Sequence, residues 1–192
     1  MNIKFSELDK LMRYKIMSQT VIPRPIAWVV TENNGIVNIA PFSYFMALSS
    51  EPPTLLVSVG HKKDGTPKDT LRNTLDTGKA TICITPPSMV EKMFATSEVL
   101  PLAESEAVKF GIETWKVKEN YPPMIKGVQV AYFCDFFRKV DIGGSTIPLI
   151  YQIEAVYLDD SIITDKERMH INFDAVGRIG KKFALEYKTI EL

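Results

Sequence analysis

A predicted helix start inside a basic loop is the part of this sequence that is best suited to bind an anion. Thr66-Pro67-Lys68-Asp69 is typical of such a start, with Thr66 as the cap. The free backbone N–H groups and the positive dipole end of a helix attract phosphate, and Lys68 and Thr70 would complete a cradle. The alternative is a solvated loop before an ordinary capped helix, in which Asp69 already takes the position suited to an anion.

A second segment, Asn38–Phe45, could bind a flat heterocycle. It follows the predicted hairpin and mixes small, aromatic and hydroxyl residues in irregular order. Its backbone N–H and C=O groups could hydrogen-bond the edge of a ring while the aromatic side chains pack nearby. A turn at the edge of the core explains the same pattern. The candidate residues of this segment are Asn38, Ala40, Pro41, Phe42 and Ser43.

Other motifs that carry enzyme chemistry are missing. The sequence has no GxSxG, HExxH, P-loop or GxGxxG pattern, and its cysteines and histidines lack the spacing of metal ligands. The 23 basic residues are balanced by 23 acidic ones, which disfavours nucleic-acid binding. No signal peptide or membrane-spanning stretch is recognisable. We therefore expect a cytoplasmic protein that binds neither nucleic acid nor membranes and holds no metal.

The pattern of β-rich runs predicts a mainly β fold with helices. Two pairs of runs flank turn residues, one pair at Asn34-Gly35 and the other at Asp141–Ser145. Six strands are enough to close a small barrel. The predicted strands are Ile26–Val30, Ile36–Ala40, Thr54–Val59, Lys79–Thr85, Val128–Val140 and Ile147–Leu158.

Helices are predicted between the strands rather than in a regular alternation with them. The first covers 67–77 and ends at Gly78, a second begins at Ser88, and a third covers 104–110. Residues 86–127 are therefore interpreted as a helical insertion between strands. The length of the chain is that of a single domain, 1–192.

Taken together, these segments resemble the flavin reductase-like family, including its flavoredoxin-type branch. The motifs fall in order along almost the whole chain. They are Pro23–Val29, Gly35-x-x-Asn38-x-Ala40-Pro41-Phe42-Ser43, Ser50–Pro53, Lys68-Asp69-Thr70-x-x-Asn73, and Gly177–Gly180 followed by Tyr187. The resemblance implies a six-stranded antiparallel Greek-key split β-barrel with a helical insertion, and a homodimer.

The resemblance also implies FMN as the cofactor and NADH or NADPH as the electron donor. The protein would accept hydride and pass electrons to a flavin, a metal complex or a redox partner protein, with no catalytic side chain required. Phosphate contacts would come from Lys68, Thr70, Ser43 and Arg24. The expected cofactor-binding residues are Arg24, Asn38, Ala40, Pro41, Phe42, Ser43, Ser58, His61, Lys68, Asp69, Thr70 and Arg178. Arg178 could reach the site from its own subunit or across the dimer interface.

Several alternatives stay open. A non-enzymatic FMN electron carrier would hold the same cofactor but oxidise NAD(P)H poorly. A protein of the same fold could have lost flavin and serve only as a scaffold. Pyridoxamine phosphate oxidase activity is a further, less favoured possibility. Arg24 could form a surface ion pair, and Ser58 could be an ordinary strand residue.

Overall fold

The computed structural model describes residues 1–188 and Ile190. Seven strands form one sheet in which every neighbouring pair is antiparallel. They are β1 (Ala27–Asn33), β2 (Ile36–Phe42), β3 (Phe45–Ser50), β4 (Pro53–Gly60), β5 (Lys79–Ile84), β6 (Val130–Lys139) and β7 (Thr146–Leu158). The spatial order is β2-β1-β5-β6-β7-β4-β3. The prediction of a mainly β fold is confirmed.

The two edges of this sheet meet at a bend of the chain. The edge strands β2 and β3 are consecutive in sequence, with Ser43 and Tyr44 between them. The backbone N–H of Ser58 on β4 donates to the carbonyl of Tyr44 at 2.8 Å. The sheet therefore curls into a barrel, and we call this bend the Phe42–Phe45 corner. The sequence prediction ended the second strand at Ala40 and contained no strand corresponding to β3.

Both faces of β1 are buried, which explains its continuous apolar run. Ala27 and Val29 face the barrel interior, and Trp28 and Val30 face outward. The outward side chains are covered by residues 86–127, and the Trp28 indole N–H donates to Thr96 Oγ1 at 2.9 Å. The insertion is therefore fastened to the sheet by apolar packing and a buried hydrogen bond.

Within the described residues, four α-helices lie around the barrel: α1 (Lys10–Thr20), α2 (Asp69–Thr77), α3 (Val90–Ala95) and α4 (Glu106–Lys109). The predicted start of α2 is wrong by two residues. Thr66 does not cap it, because the cap position is Lys68. The Thr66 hydroxyl and backbone N–H instead donate to Asp64 Oδ1, at 2.6 and 2.9 Å, in the turn before the helix. Gly78 ends α2 in the left-handed conformation, φ 70°, as predicted.

Shorter elements complete the structure. A small three-stranded sheet is formed by Arg24–Pro25, Gly177–Ile179 and Lys182–Ala184. Two further pairs of short strands are Thr114–Trp115 with Met124–Ile125, and Ile163–Asp165 with His170–Ile171. The 3₁₀ turns are Phe5–Glu7, Pro87–Met89 and Asp160–Ile162. In the described part of the chain, no helix is long and apolar enough to cross a membrane.

Candidate functional site

A buried hydrogen-bond network fixes the start of α2 on the sheet. Asn38 Nδ2 donates to Thr70 Oγ1 at 3.1 Å and to Thr31 Oγ1 at 3.2 Å. Asn73 Nδ2 donates to the same Thr31 oxygen at 3.2 Å. All four side chains are buried, so each polar group must find a partner within the protein. The two segments singled out in the sequence therefore meet in space at Asn38 and Thr70.

A small cavity lies against this network, and we call it the α2 cavity. Six of the predicted cofactor-binding residues line it: Asn38, Ala40, Pro41, Lys68, Asp69 and Thr70. The rest of its wall is formed by Lys62, Glu106 and residues 96–100 of the insertion. Half of the predicted set is thus gathered at one place, beside the N-terminus of a helix.

Two lysines line this cavity, and of these Lys68 has no counterion among the described residues. Its Nζ lies 5.4 Å from the centre of the Phe42 ring, and no carboxylate of the described residues is within salt-bridge distance. Burial lowers the pKa of the Lys68 ammonium group. The Asp69 carboxylate is engaged elsewhere, 3.0 Å from Lys62 Nζ and in an ion pair with Arg72.

The α2 N-terminus keeps its capacity to bind an anion. No side chain of the described chain caps it, because the residue at the cap position is Lys68. The first backbone N–H groups of a helix have no partner within the helix and carry its positive dipole end. Lys68 and these N–H groups therefore offer positive charge to the same small volume.

The insertion pairs with backbone groups at the edge of β2, next to this cavity. Ser105 donates its hydroxyl to the carbonyl of Val37, and Glu106 Oε2 accepts the backbone N–H of Ile39 at 3.0 Å. Burial raises the pKa of the Glu106 carboxyl, whose residue is only 5% exposed. Further along the edge, Pro41 has no N–H to offer.

The other predicted residues lie outside the α2 cavity. Phe42 is buried at the end of β2, and Ser43 is half-buried in the Phe42–Phe45 corner. The half-buried Ser58 points away from the barrel interior, because Val57 and Val59 on either side of it face inward. His61 Nδ1 lies 2.9 Å from the carbonyl oxygen of Ser145, so this ring ties the end of β4 to the loop before β7.

Arg24 and Arg178 form a separate group. They are register partners between the short strands Arg24–Pro25 and Gly177–Ile179. Arg24 Nη1 donates to the carbonyl oxygens of Ser18 and Val21 at the end of α1. Neither arginine lines the α2 cavity, and the buried Arg24 forms no salt bridge with a carboxylate of the described residues.

Sequence reasoning left three residues of this region out of the predicted site. Asn73 lies one helical turn after Thr70, so helix periodicity could have added it. Lys62 is in the same basic loop as Lys68. Glu106 comes from the insertion and reaches β2 only through tertiary packing, so no local pattern indicated it. Among the described residues, no group of three or more potential metal ligands is present.

Comparison with known proteins agrees with this architecture. The family described as "Flavin reductase like domain" matches residues 17–172, which is most of the chain. The chain belongs to the flavin reductase-like family. The resemblance that was based on its ordered short motifs is thereby confirmed.

Solved structures support the same assignment. Nitrilotriacetate monooxygenase component B from Bacillus cereus superposes with a TM-score of 0.92 at 27% identity, covering 100% of this chain and 98% of that one. 2-Nitrobenzoate 2-nitroreductase NbaA from Pseudomonas fluorescens superposes with a TM-score of 0.90 at 25% identity, covering 100% of this chain and 95% of that one. A protein with a split barrel domain from Shewanella frigidimarina superposes with a TM-score of 0.83 at 19% identity, covering 100% of this chain and 98% of that one. At this identity the similarity shows the fold alone. The predicted split barrel is confirmed.

Proposed function

We propose that this chain is an FMN-binding oxidoreductase that accepts hydride from NADH or NADPH and passes electrons to a flavin, a metal complex or a partner protein. The observation that carries the proposal is the α2 cavity, where Lys68 has no counterion among the described residues and lies at a helix N-terminus that none of their side chains caps. We also propose that residues 1–192 act as one domain and that a homodimer is the working form.

The residues of the α2 cavity fit the phosphate of FMN. Lys68 would supply a charge, Thr70 a hydroxyl, and the first turn of α2 its free backbone N–H groups. Asn38 would orient Thr70 through the hydrogen bond of 3.1 Å between them. A phosphate would restore a counterion to a lysine that burial otherwise makes harder to protonate.

The ring of FMN fits the neighbouring edge of the barrel. An edge strand leaves part of its backbone groups unpaired, and the insertion covers β2 only as far as Ile39. The backbone from Ala40 to Ser43 is therefore the part that would orient the ring, with Phe42 and Tyr44 beside it. Bound FMN would supply the hydride-accepting and electron-transferring chemistry. The chain itself would bind, orient and shield the cofactor.

Two neighbours suggest acceptors to test first. One is component B of a monooxygenase and the other reduces a nitroaromatic acid. By analogy, the electrons of this chain would go to a separate protein component or to a small organic acceptor.

The first experiment is the visible absorption spectrum of the purified protein with and without added FMN, followed by anaerobic addition of NADH and then NADPH. Flavin bands that bleach rapidly support the proposal and identify the donor. Bands that persist support the electron-carrier alternative. Absence of flavin binding, even with FMN added, would contradict the proposal and leave a scaffold role.

The site itself is tested by Lys68→Ala combined with Thr70→Ala. We expect the FMN dissociation constant to rise at least about tenfold, because a charge-assisted contact to phosphate is lost. Circular dichroism checks that the variant is folded. Lys63→Ala is the matched control, since Lys63 is exposed in the same loop and does not line the cavity. Unchanged FMN affinity in a folded double variant would exclude the α2 cavity.

A further inference from the structure

Two arginines face each other without a counterion on the small three-stranded sheet. Arg24 and Arg178 are opposite each other in register, and we call them the Arg24–Arg178 pair. Like charges directly opposite on antiparallel strands repel. No carboxylate in the described part of the chain is within salt-bridge distance of either side chain. The fold thus keeps two positive charges together at a cost in stability.

Arg24 is held so that one edge of its guanidinium group is left without a partner. The residue is only 6% exposed, and its Nη1 is bound by carbonyl oxygens of Ser18 and Val21. Nε and Nη2 have no hydrogen-bond partner among the described residues and are shielded from solvent. These two atoms form the edge that can donate two parallel hydrogen bonds to a phosphate or carboxylate. Such buried, unsatisfied donors are unusual in proteins and call for a ligand.

Aromatic rings hold both guanidinium groups without neutralising them. Arg24 Cζ lies 5.7 Å from the centre of the Tyr44 ring, and Arg178 Cζ lies 4.4 Å from that of Phe183. Arg178 Nε also donates to the carbonyl of Gly180 at 2.9 Å, which fixes its orientation. Burial, with a contribution from the charge of Arg24, lowers the pKa of Arg178.

We propose that the Arg24–Arg178 pair binds a phosphate group of a nucleotide, at a site separate from the α2 cavity. The identity of the nucleotide rests on the proposed function. Because that function assigns the single phosphate of FMN to the α2 cavity, the ligand of the pair is the diphosphate of a nicotinamide dinucleotide, and the second test below distinguishes it from the FMN phosphate. A phosphate would neutralise both charges and satisfy the free edge of Arg24. The half-buried Tyr44 ring faces this guanidinium, so its rotation is the motion that would admit the ligand.

The location suits a ligand beside the flavin. Tyr44 belongs to the same Phe42–Phe45 corner as Phe42, whose ring contacts Lys68. The α2 cavity and the Arg24–Arg178 pair therefore lie near opposite ends of one short bend. A ring bound at the corner would have a phosphate-binding group on either side of it.

The first test uses inorganic pyrophosphate and flavin-free protein, so that it does not depend on redox activity. Binding is measured by calorimetry in the Lys68→Ala, Thr70→Ala background, which removes the contribution of the α2 cavity. We expect binding to persist there, and a further Arg178→Met substitution to raise the dissociation constant at least about tenfold. Arg138→Met is the matched control, because Arg138 is exposed and lies over the Phe137 ring in a similar way.

Arg24→Lys provides a second variant that keeps a cation at the end of α1 but removes the parallel donor edge. We expect it to weaken pyrophosphate binding in the same background, with an unchanged circular dichroism spectrum. Two results would overturn the proposal: no pyrophosphate binding in the α2-cavity background, or equal affinity with and without Arg178.

The second test identifies the source of the phosphate. With Arg178→Met, a rise in KM for NADH but not for reduced nicotinamide riboside, which has no phosphate, indicates the nicotinamide dinucleotide. A rise in the dissociation constant of FMN but not of riboflavin would instead place the FMN phosphate at this pair and remove it from the α2 cavity. If none of the four ligands is affected, the pair is not a nucleotide site, even when the protein proves to be an active flavin reductase.

Discussion

The barrel interior and the region around the Phe42–Phe45 corner differ in whether their polar groups have partners. Inside the barrel, the fully buried Tyr151 hydroxyl meets Thr74 Oγ1 at 2.8 Å. Around the corner, Lys68 has no counterion among the described residues, and two nitrogen atoms of Arg24, Nε and Nη2, have no hydrogen-bond partner among them. The interior is built for stability, whereas the corner retains unused capacity to bind anions.

Because of this difference, we expect substitutions in the two regions to have different effects. A change in the interior removes packing or leaves a buried group unsatisfied, so it should lower the free energy of unfolding. A change at the corner removes a group that is already uncompensated, so it should affect ligand binding more than folding. The predictions below test that separation, beginning with the largest expected effect.

Leu149→Ala should destabilise the protein by about 2–5 kcal/mol, because a cavity replaces a side chain that is fully buried in the barrel. Urea unfolding of the flavin-free protein measures this. The affinity of the folded fraction for FMN should stay unchanged. Leu102→Ala is the matched control, since Leu102 is 59% exposed. Equal losses of stability in the two variants would contradict the assignment of Leu149 to the core.

Tyr151→Phe should lower the free energy of unfolding by about 1–3 kcal/mol, because the Thr74 hydroxyl loses its partner in a buried position. The same urea experiment measures the effect. Tyr157→Phe serves as the control, because the Tyr157 hydroxyl has only a long contact of 3.5 Å with Asp159. If both variants are equally stable, the buried hydrogen bond contributes nothing that the surface contact does not.

Local patterns in the sequence predicted most of the barrel. The Asn34-Gly35 turn was expected from its residue types, and both residues have the positive φ values, 51° and 77°, that a type I′ hairpin requires. The long hairpin of β6 and β7 was also expected. Missing were α1 and β3. Five of the six β3 residues are exposed, so it lacks the buried alternation that marks a strand.

The candidate site was predictable only in part. Each of the two singled-out segments had a structural explanation, and the contact between Asn38 and Thr70 is set by tertiary packing. The grouping of Arg24 with Lys68 in one phosphate site stays a prediction, because Arg24 does not line the α2 cavity and short motifs that are far apart in the sequence do not fix the distance between their side chains. The Thr66 cap was wrong, because the cap position is Lys68, two residues later, and Thr66 belongs to a turn that its hydrogen bonds to Asp64 close.

Glu106→Gln should have the smallest effect on the free energy of unfolding, and that effect should depend on pH. Burial raises the pKa of this carboxyl above its ordinary value of 4.5, so the folded state holds the proton more tightly than the unfolded chain does. The stability that Glu106 contributes is therefore fully present below that ordinary value and is lost as the pH rises through the raised pKa. Glutamine does not ionise, and its side-chain oxygen can still accept the Ile39 N–H.

The variant should consequently become more stable relative to the parent protein as the pH is raised from below the ordinary carboxyl value to neutrality. Urea unfolding at the two ends of this range measures the difference, which should be smaller than that for Tyr151→Phe. Glu104→Gln is the control, because Glu104 is exposed and two residues away. A difference between variant and parent that does not change with pH would mean that burial of Glu106 carries no penalty. The polar groups near the corner would then be as well compensated as those inside the barrel.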